Sequence, residues 1–382
     1  MLNQAEISQL TELRRKLHQL PEISGNERQT AIMISEFLNE FAPDEFYNAL
    51  SGNALAAVYN GQDANGPTVL FRCELDALLI LETSSIAYKS QYDYVAHSCG
   101  HDGHMGIVAS LAVALHKQRP ATGRVILLFQ PAEETGKGAK PLVEALKLHK
   151  LVPKYSFALH NMPKMKMHEV AIKDGFFNCA SVGMKIELLG KTSHASHPEN
   201  GLSPCEAMCE ILAEVKNINQ EYKAHDAFCL VSINHAGLGE EAFGITAGAA
   251  KIMLTLRSES DQLLTKMQNQ LDIFTQKTSR KYGLGYDYCL DEPFEASINN
   301  DEAAGKIRQA CADENVPITE LDAAWRASED FGQFANISKS AMFMLGSGVD
   351  QPYLHNPDFN FPDEIIETGH NIFYRLIGNI LG

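Results

Sequence analysis

His97-Ser-Cys99-Gly-His101-Asp102-Gly-His104 gathers imidazoles, a thiol and a carboxylate into one short stretch. These are the side chains that hold borderline divalent cations such as zinc. Cys99 and His101 stand two apart, just ahead of a helix that opens at Asp102, so in a loop both can reach one site. The amino terminus of that helix favours a thiolate. Glu133-Glu134 follows the apolar run Arg124–Gln130. Adjacent residues in a turn point different ways, so one carboxylate can ligate while the other holds a water as general base. His160 ends the apolar run Tyr155–Leu159, and Glu74 and Asp76 end the run Thr68–Cys73. Asp76 reads as a ligand or, preferably, as a carboxylate that orients a ligand imidazole. His355, in Tyr353-Leu-His-Asn-Pro357, is by itself more readily a surface residue than a ligand. A buried structural cysteine and a solvated acidic turn are the bland readings of Cys99 and of Glu133-Glu134. The placement of all these groups at the ends of buried strands favours a metal centre over both. Cys99 as a nucleophile beside a histidine is the rival chemistry.

The elements that position these groups alternate. Ile7, Leu10, Leu13, Leu17 and Leu20 recur at helical spacing and stop at Pro21. Further helices are expected over about 27–41 and 102–117, between the apolar strands. Strands alternating with helices predict a largely parallel α/β sheet. Ligands gather at the carboxyl ends of such strands, so tips far apart in sequence can converge.

From Ser181 the pattern changes. Val182, Met184, Ile186 and Leu188 alternate with polar residues, as in an antiparallel strand with one wet face. Ser203-Pro204-Cys205-Glu206 reads as a helix start with serine at the cap. Strands near 228–234, 251–257 and 284–290 and a helix from Ser260 complete a βαββαβ order, that of a ferredoxin-like α+β domain. The expected organisation is an α/β domain over 1–180 and 292–382, interrupted by an inserted domain over 181–291. In the insert, Gly190-Lys-Thr-Ser-His194-Ala-Ser-His197-Pro is a polar, glycine-led loop. His194 could take part in chemistry only if the insert acts as a lid.

The chain has 382 residues, too many for one hydrophobic core, and 45% apolar content. Its 48 acidic residues against 32 basic ones give a net charge of −16, with no basic stretch, which argues against nucleic acid or an anionic membrane as partner. The eight cysteines form no Cys-x-x-Cys pair and suit a reducing compartment. No signal-peptide pattern opens the chain, and the longest apolar stretch, roughly 107–115, is too short to span a bilayer. A cytoplasmic protein is expected.

Taken together, HSCGHDGH, FQPAEETGKGA, ALHNMP, GKTSHAS, SEDFGQF and LHNPDFNFPDE occur in the order and at the spacings of a known family. The chain resembles the amidohydrolase branch of the two-metal aminoacylase/carboxypeptidase family, which includes hippurate hydrolases, indoleacetyl-amino-acid hydrolases and N-acetyldiaminopimelate deacetylases. The resemblance implies a two-metal α/β catalytic domain with an inserted ferredoxin-like lid, and a homodimer contact through that lid. It implies Cys99, His101, Glu134, His160 and His355 as ligands of two divalent cations, zinc or manganese, with nickel and cobalt as further candidates. It makes Glu133 the general base, Asp76 the orienting carboxylate and His194 the lid histidine. It does not make Glu74 a ligand. The implied reaction is hydrolysis of the amide of a small N-acyl amino acid by a hydroxide held on the metals. A metal-dependent dipeptidase or carboxypeptidase is the alternative, and a non-catalytic binding protein on the same fold a more distant one. The chain departs from the family pattern in three places. Arg72-Cys-Glu74-Leu-Asp76-Ala-Leu-Leu79 stands where the family writes Arg-Ala-Asp-x-Asp-Ala-Leu-Pro. Pro198-Glu199 replaces a Pro-His pair, and Phe243-Gly-Ile245-Thr246 replaces Asn-Val-Ile-Pro in the lid.

Overall fold

The computed structural model describes residues 2–382, which divide into two compact units. The first comprises the chain up to Phe177, Ile298–Ala323 and Asp330–Gly382. It is built on an eight-stranded sheet in the order Glu45–Tyr47, Leu55–Asn60, Thr122–Gln130, Asp63–Glu74, Tyr155–Pro163, Lys339–Gly348, Val170–Ile172, Ile318–Glu320. The four central strands, from Thr122–Gln130 to Lys339–Gly348, run parallel. They are apolar because both faces are covered. Val125 to Phe129, Val69 to Phe71 and Ala341 to Phe343 are all fully buried.

The helix His101–Lys117 is buried from His101 through Leu115, so it is apolar around its whole circumference rather than on one stripe. It packs between the helices Gln4–Gln19 and Ile365–Leu381 and against the sheet. Gly103 makes the close approach possible, since a Cβ there would lie 2.3 Å from the ring of Phe361. The helix Gln4–Gln19, which carries Arg14 and His18, starts in a capping box. Asn3 Oδ1 accepts the Glu6 N–H at 3.0 Å, and Glu6 accepts the Asn3 N–H at 2.8 Å.

The second unit, Asn178–Ser297 with Ala324–Glu329, is a ferredoxin-like α+β domain. Its antiparallel sheet runs in the order Gly285–Phe294, Ala180–Leu189, Ala249–Ser258, Cys229–Leu238. Val182, Met184, Ile186 and Leu188 turn inward on alternate residues. They form one core with Ile211, Val215 and Ile218 of the helix Cys205–Tyr222 and Met267 and Leu271 of the helix Asp261–Lys281. Buried aliphatic side chains of this kind contribute about 1.5–3 kcal/mol each. The helix expected from Ser260 starts one residue later, with Ser260 as its cap, accepting the Leu263 N–H. At the other helix the expectation needs correction: Pro204, not Ser203, occupies the cap, and Cys205 is the first helical residue. Ser203 Oγ accepts the Cys205 N–H at 3.3 Å from outside the helix. No helix among the described residues is long and apolar enough to cross a membrane.

Candidate metal centre

The carboxyl ends of the four central parallel strands deliver the candidate ligands. Asp63–Glu74 leads to Asp76, Thr122–Gln130 to Glu133 and Glu134, Tyr155–Pro163 contains His160, and Lys339–Gly348 precedes His355. Cys99 and His101 reach the same end where the chain enters the buried helix. The entry depends on Gly100, at φ +93°, since a Cβ there would meet Asn161 Oδ1 at 2.2 Å. Ala132 and His355 are not glycines yet also hold left-handed backbone, at φ +54° and +64°. Such conformations persist where the surroundings over-determine them, and they cluster at functional sites. For His355 one restraint is its own N–H, given to the Ser98 carbonyl at 2.8 Å.

The ligand atoms of Cys99, His101 and His160 lie within 4.8 Å of one another. So do those of Cys99, Glu134 and His355, and those of His101, Glu133 and Glu134. Atoms bound about 2.0–2.3 Å from a shared cation stand up to roughly 4.6 Å apart, so each group is of the right size for one ion. Cys99, His101 and Glu134 each belong to two of these groups, so the groups adjoin one another.

Both inner histidines present a defined nitrogen. His101 Nδ1 donates to the Asp76 carbonyl at 2.8 Å, leaving Nε2 inward, buried and without a hydrogen bond. Glu134 Oε1 and Glu133 Oε2 face that nitrogen at 3.8 and 3.9 Å. His160 Nδ1 donates to the Asn161 carbonyl at 2.8 Å, and its Nε2 lies 3.4 Å from Cys99 Sγ. His355 Nε2 is 3.7 Å from Glu134 Oε1. A buried imidazole lone pair aimed at carboxylates and a thiol is a donor set for a divalent cation. The residues present therefore fit the metals that the chemistry requires.

Other members of the motif serve the scaffold. His104 and Glu74 are close to His101, but each is committed elsewhere. His104 Nδ1 bonds Glu74 Oε2 at 2.6 Å, and its Nε2 lies 2.6 Å from Asn161 Oδ1. The other Glu74 oxygen pairs with Arg72. Against the cost of burial, Arg72 and then His104 hold the Glu74 carboxyl well below its usual range. Arg72 continues to Asp330 at 2.7 Å. Asp330 accepts from Gln130 and from the Ala139 N–H at 2.9 Å, closing the far end of the Glu133–Glu134 turn. Asp102 turns away from the ligand cluster to Arg14 and His18, at 3.2 and 2.8 Å.

The site is largely buried, open at His355, and acidic. Burial, then the charges of Glu134 and Glu133, push the Cys99 thiol well above its ordinary value. Burial opposes charge on His101, but the Asp76 contact and the Glu74 and Glu134 carboxylates raise it to about 10. Burial and the neighbouring His104 press His160 well below its ordinary value. A cation among these groups displaces protons from Cys99 and His101 in exchange for carboxylate and imidazole contacts.

His194 lies in the second unit, in the loop that pairs with Ile245. Its Nδ1 accepts the Ser196 N–H at 3.1 Å, which leaves the ring proton on Nε2, available to donate. His197 is paired with Glu199 at 3.1 Å. Phe243, where the sequence departs from the family pattern, is fully exposed.

The parallel sheet with ligands at its strand ends, together with a separate ferredoxin-like unit, defines the class of metal-dependent hydrolases with a catalytic and a lid domain. The family model for Peptidase family M20/M25/M40 matches residues 70–379, and the chain belongs to that family. An uncharacterised hydrolase of Staphylococcus aureus (strain bovine RF122 / ET3-1) is 27% identical over 98% of each chain, and one of Staphylococcus haemolyticus is 26% identical over the same shares. Among solved structures, the chain resembles the Bacillus subtilis YXEP protein, described as a dinuclear metal binding peptidase of the M20 family. That match has a TM-score of 0.83 at 22% identity and covers 100% of this chain and 99% of the other. The aminobenzoyl-glutamate utilization protein of Klebsiella pneumoniae matches with a TM-score of 0.72 at 16% identity, over 98% and 97% of the two chains. At these identities the likeness concerns the fold.

Proposed function

We propose that this M20 hydrolase cleaves the amide bond of small N-acyl amino acids. Cys99, His101, Glu134, His160 and His355 would hold two divalent cations, zinc or manganese. The observation that carries the reading is the pair of adjacent carboxylates facing the inward His101 nitrogen, Glu134 Oε1 at 3.8 Å and Glu133 Oε2 at 3.9 Å. One carboxylate is needed to ligate and one to move a proton. Bound cations supply Lewis-acid polarisation of the amide carbonyl and bring the pKa of a water toward neutrality. Glu133 removes a proton from the water whose oxygen attacks the amide carbon. It returns that proton to the nitrogen as the C–N bond breaks, leaving an amine and a carboxylic acid, which then ionises. Asp76 holds the His101 side and the Glu134 peptide in place. His194, as the lid histidine, gives its Nε2–H to the developing oxyanion.

The 3.4 Å contact between Cys99 Sγ and His160 Nε2 is the one feature that suits a cysteine hydrolase. Its electrostatics run the wrong way. The thiol is pushed up and the imidazole down, whereas an activated pair needs a low thiol and a protonated imidazole.

The test is to strip the protein with chelator, reconstitute it with zinc, manganese, cobalt or nickel, and assay N-acetyl, N-benzoyl and N-indoleacetyl amino acids beside dipeptides. Turnover of an N-acyl amino acid that vanishes on chelation and returns with metal is the expected result. Activity that survives chelation would move the chemistry to Cys99. Turnover of dipeptides alone would make the protein a peptidase.

A further inference from the structure

Glu27 is a fully buried carboxylate for which the reaction has no direct use. Its Oε1 accepts the Gly25 N–H at 2.6 Å and the Ala132 N–H at 2.9 Å, and its Oε2 accepts Asn53 Nδ2 at 2.8 Å. Ala132 immediately precedes Glu133 and holds a left-handed φ of +54°. That backbone is costly for a residue with a Cβ and has to be imposed from outside. The turn itself imposes the carbonyl side. The Ala132 carbonyl accepts from Lys137 and Gly138 at 3.2 and 3.1 Å, and the Glu133 carbonyl accepts from Gly136 at 2.8 Å. On the amide side of Ala132, Glu27 supplies the restraint from 105 residues earlier in the chain. One peptide past Glu133, the Glu134 N–H is given to a second buried carboxylate, Asp76 Oδ2, at 2.9 Å.

We infer that Glu27 is a positioning residue for Glu133: Glu27 holds the Pro131–Ala132 peptide, one peptide removed on the amino side, as Asp76 holds the peptide that follows Glu133, so two buried carboxylates restrain the backbone on either side of that side chain. The inference rests on the reading of Glu133 as general base. Its physical core, the restraint of the 131–138 turn, does not depend on the substrate. Burial raises the Glu27 carboxyl, helped by the nearby Asp76 charge, against the hydrogen bonds from Asn53 and the main chain, which lower it. A glutamine retains an acceptor oxygen for the Ala132 N–H, whereas alanine leaves it none.

The experiment compares Glu27→Ala, Glu27→Gln and wild type, each loaded with metal. Two readouts are taken: hydrogen–deuterium exchange of the 131–138 segment, and kcat and KM on the best amide substrate. Glu27→Ala should speed exchange in that segment and lower kcat by about 10–10², the scale of a small misplacement of a catalytic group, with KM little changed. Glu27→Gln should recover most of both losses. Should Glu27→Ala not fold, Glu27→Asp carries the same test, since it keeps the buried charge but withdraws the oxygen from the Ala132 N–H. Unchanged exchange over 131–138 in Glu27→Ala, or a kcat loss that only tracks loss of folded protein, overturns the inference. A wild-type protein that hydrolyses no amide overturns the functional reading instead, and the exchange measurement still decides the role of Glu27.

Discussion

His101 is tied to Asp76 through the main chain. Its Nδ1 lies 2.8 Å from the Asp76 carbonyl oxygen and 3.6 Å from the nearer carboxylate oxygen. The tautomer of the imidazole is therefore fixed by the main chain just past the strand end, which no substitution at position 76 removes. The Asp76 carboxylate does different work, with Oδ2 accepting from Ser24 Oγ at 2.7 Å and from the Glu134 N–H at 2.9 Å.

Asp76→Asn and Asp76→Ala should consequently differ. Asparagine retains an acceptor for the Glu134 N–H and loses only the charge, whereas alanine frees that peptide as well. Metal affinity should fall by about 10–100-fold in Asp76→Ala, the usual effect of removing a partner that orients a ligand, and by clearly less in Asp76→Asn. Competition against a chromogenic chelator measures this. Equal losses would mean that the charge on Asp76, not its hydrogen bond to the Glu134 peptide, is what the metals need.

On the proposed reading, Glu133 and Glu134 divide the labour. Glu133→Gln should keep its metal and lose turnover by about 10² or more, as expected for a lost general base. Glu134→Gln should lose metal first, and its residual activity should recover as metal is raised. Elemental analysis beside kcat separates the two, and equal metal loss in both variants would contradict the assignment.

Acid should release the metal. Ligation needs the Cys99 thiolate and an unprotonated His101, and both groups hold their protons above their ordinary pKa. The apparent affinity should therefore rise steadily from pH 6 to pH 9 rather than level off by about pH 7.5, where an unperturbed histidine of pKa about 6.5 has largely titrated. Calorimetric titration over that range checks it. An affinity flat above pH 7 would show that neither Cys99 nor His101 gives up a proton on ligation.

In the second unit, the Ser196 N–H fixes the His194 proton on Nε2. His194→Ala should keep the metals and lower kcat by about 10²–10³, the effect of one lost oxyanion donor, with little rise in KM. His197, paired with Glu199 at the surface, is the control and should matter little when replaced by alanine. Wild-type turnover in His194→Ala would remove the lid histidine from the mechanism.

The strand ends were legible in the sequence because a buried parallel strand is a run of apolar residues, and a polar group at its end has few bland explanations. Which of several identical side chains ligates was not legible. His101 and His104 stand three apart in one motif, and only Asn161 and the Glu74–Arg72 pair, brought in from other strands, commit His104 elsewhere. Glu27 escaped notice, and Asp330 stood inside SEDFGQF without a role, for the same reason. Their partners lie 105 and 258 residues away, and the sequence offers an acidic residue with no local sign of what it binds. Residues 324–329 group with the second unit through contacts such as the Cys179 N–H on the Trp325 carbonyl at 3.1 Å, which no local pattern announces.

His18 gives the fold its own pH signature. It is buried, with Nδ1 2.8 Å from Asp102 Oδ2 and Nε2 3.3 Å from Glu82 Oε1, and Arg14, Tyr88 and His97 are its other charged or titratable neighbours. Burial disfavours the imidazolium, but Asp102 and then Glu82 outweigh it and lift His18 to about 9. A histidine raised in the folded state stabilises fully below its unfolded pKa of about 6.5, and the contribution is lost as pH climbs through the folded value near 9. The shift corresponds to at most about 3 kcal/mol. His18→Gln retains hydrogen bonding but has no charge to lose. Thermal unfolding of metal-saturated protein from pH 6 to pH 10 should therefore show wild type ahead of His18→Gln at pH 6 and the gap closing by about pH 9–10. Metal saturation matters, because the affinity of the neighbouring site rises over the same range and would otherwise tilt both curves upward. A gap that is constant with pH would mean that His18 is neutral in the folded protein, and that Asp102 draws its stabilisation from Arg14 instead.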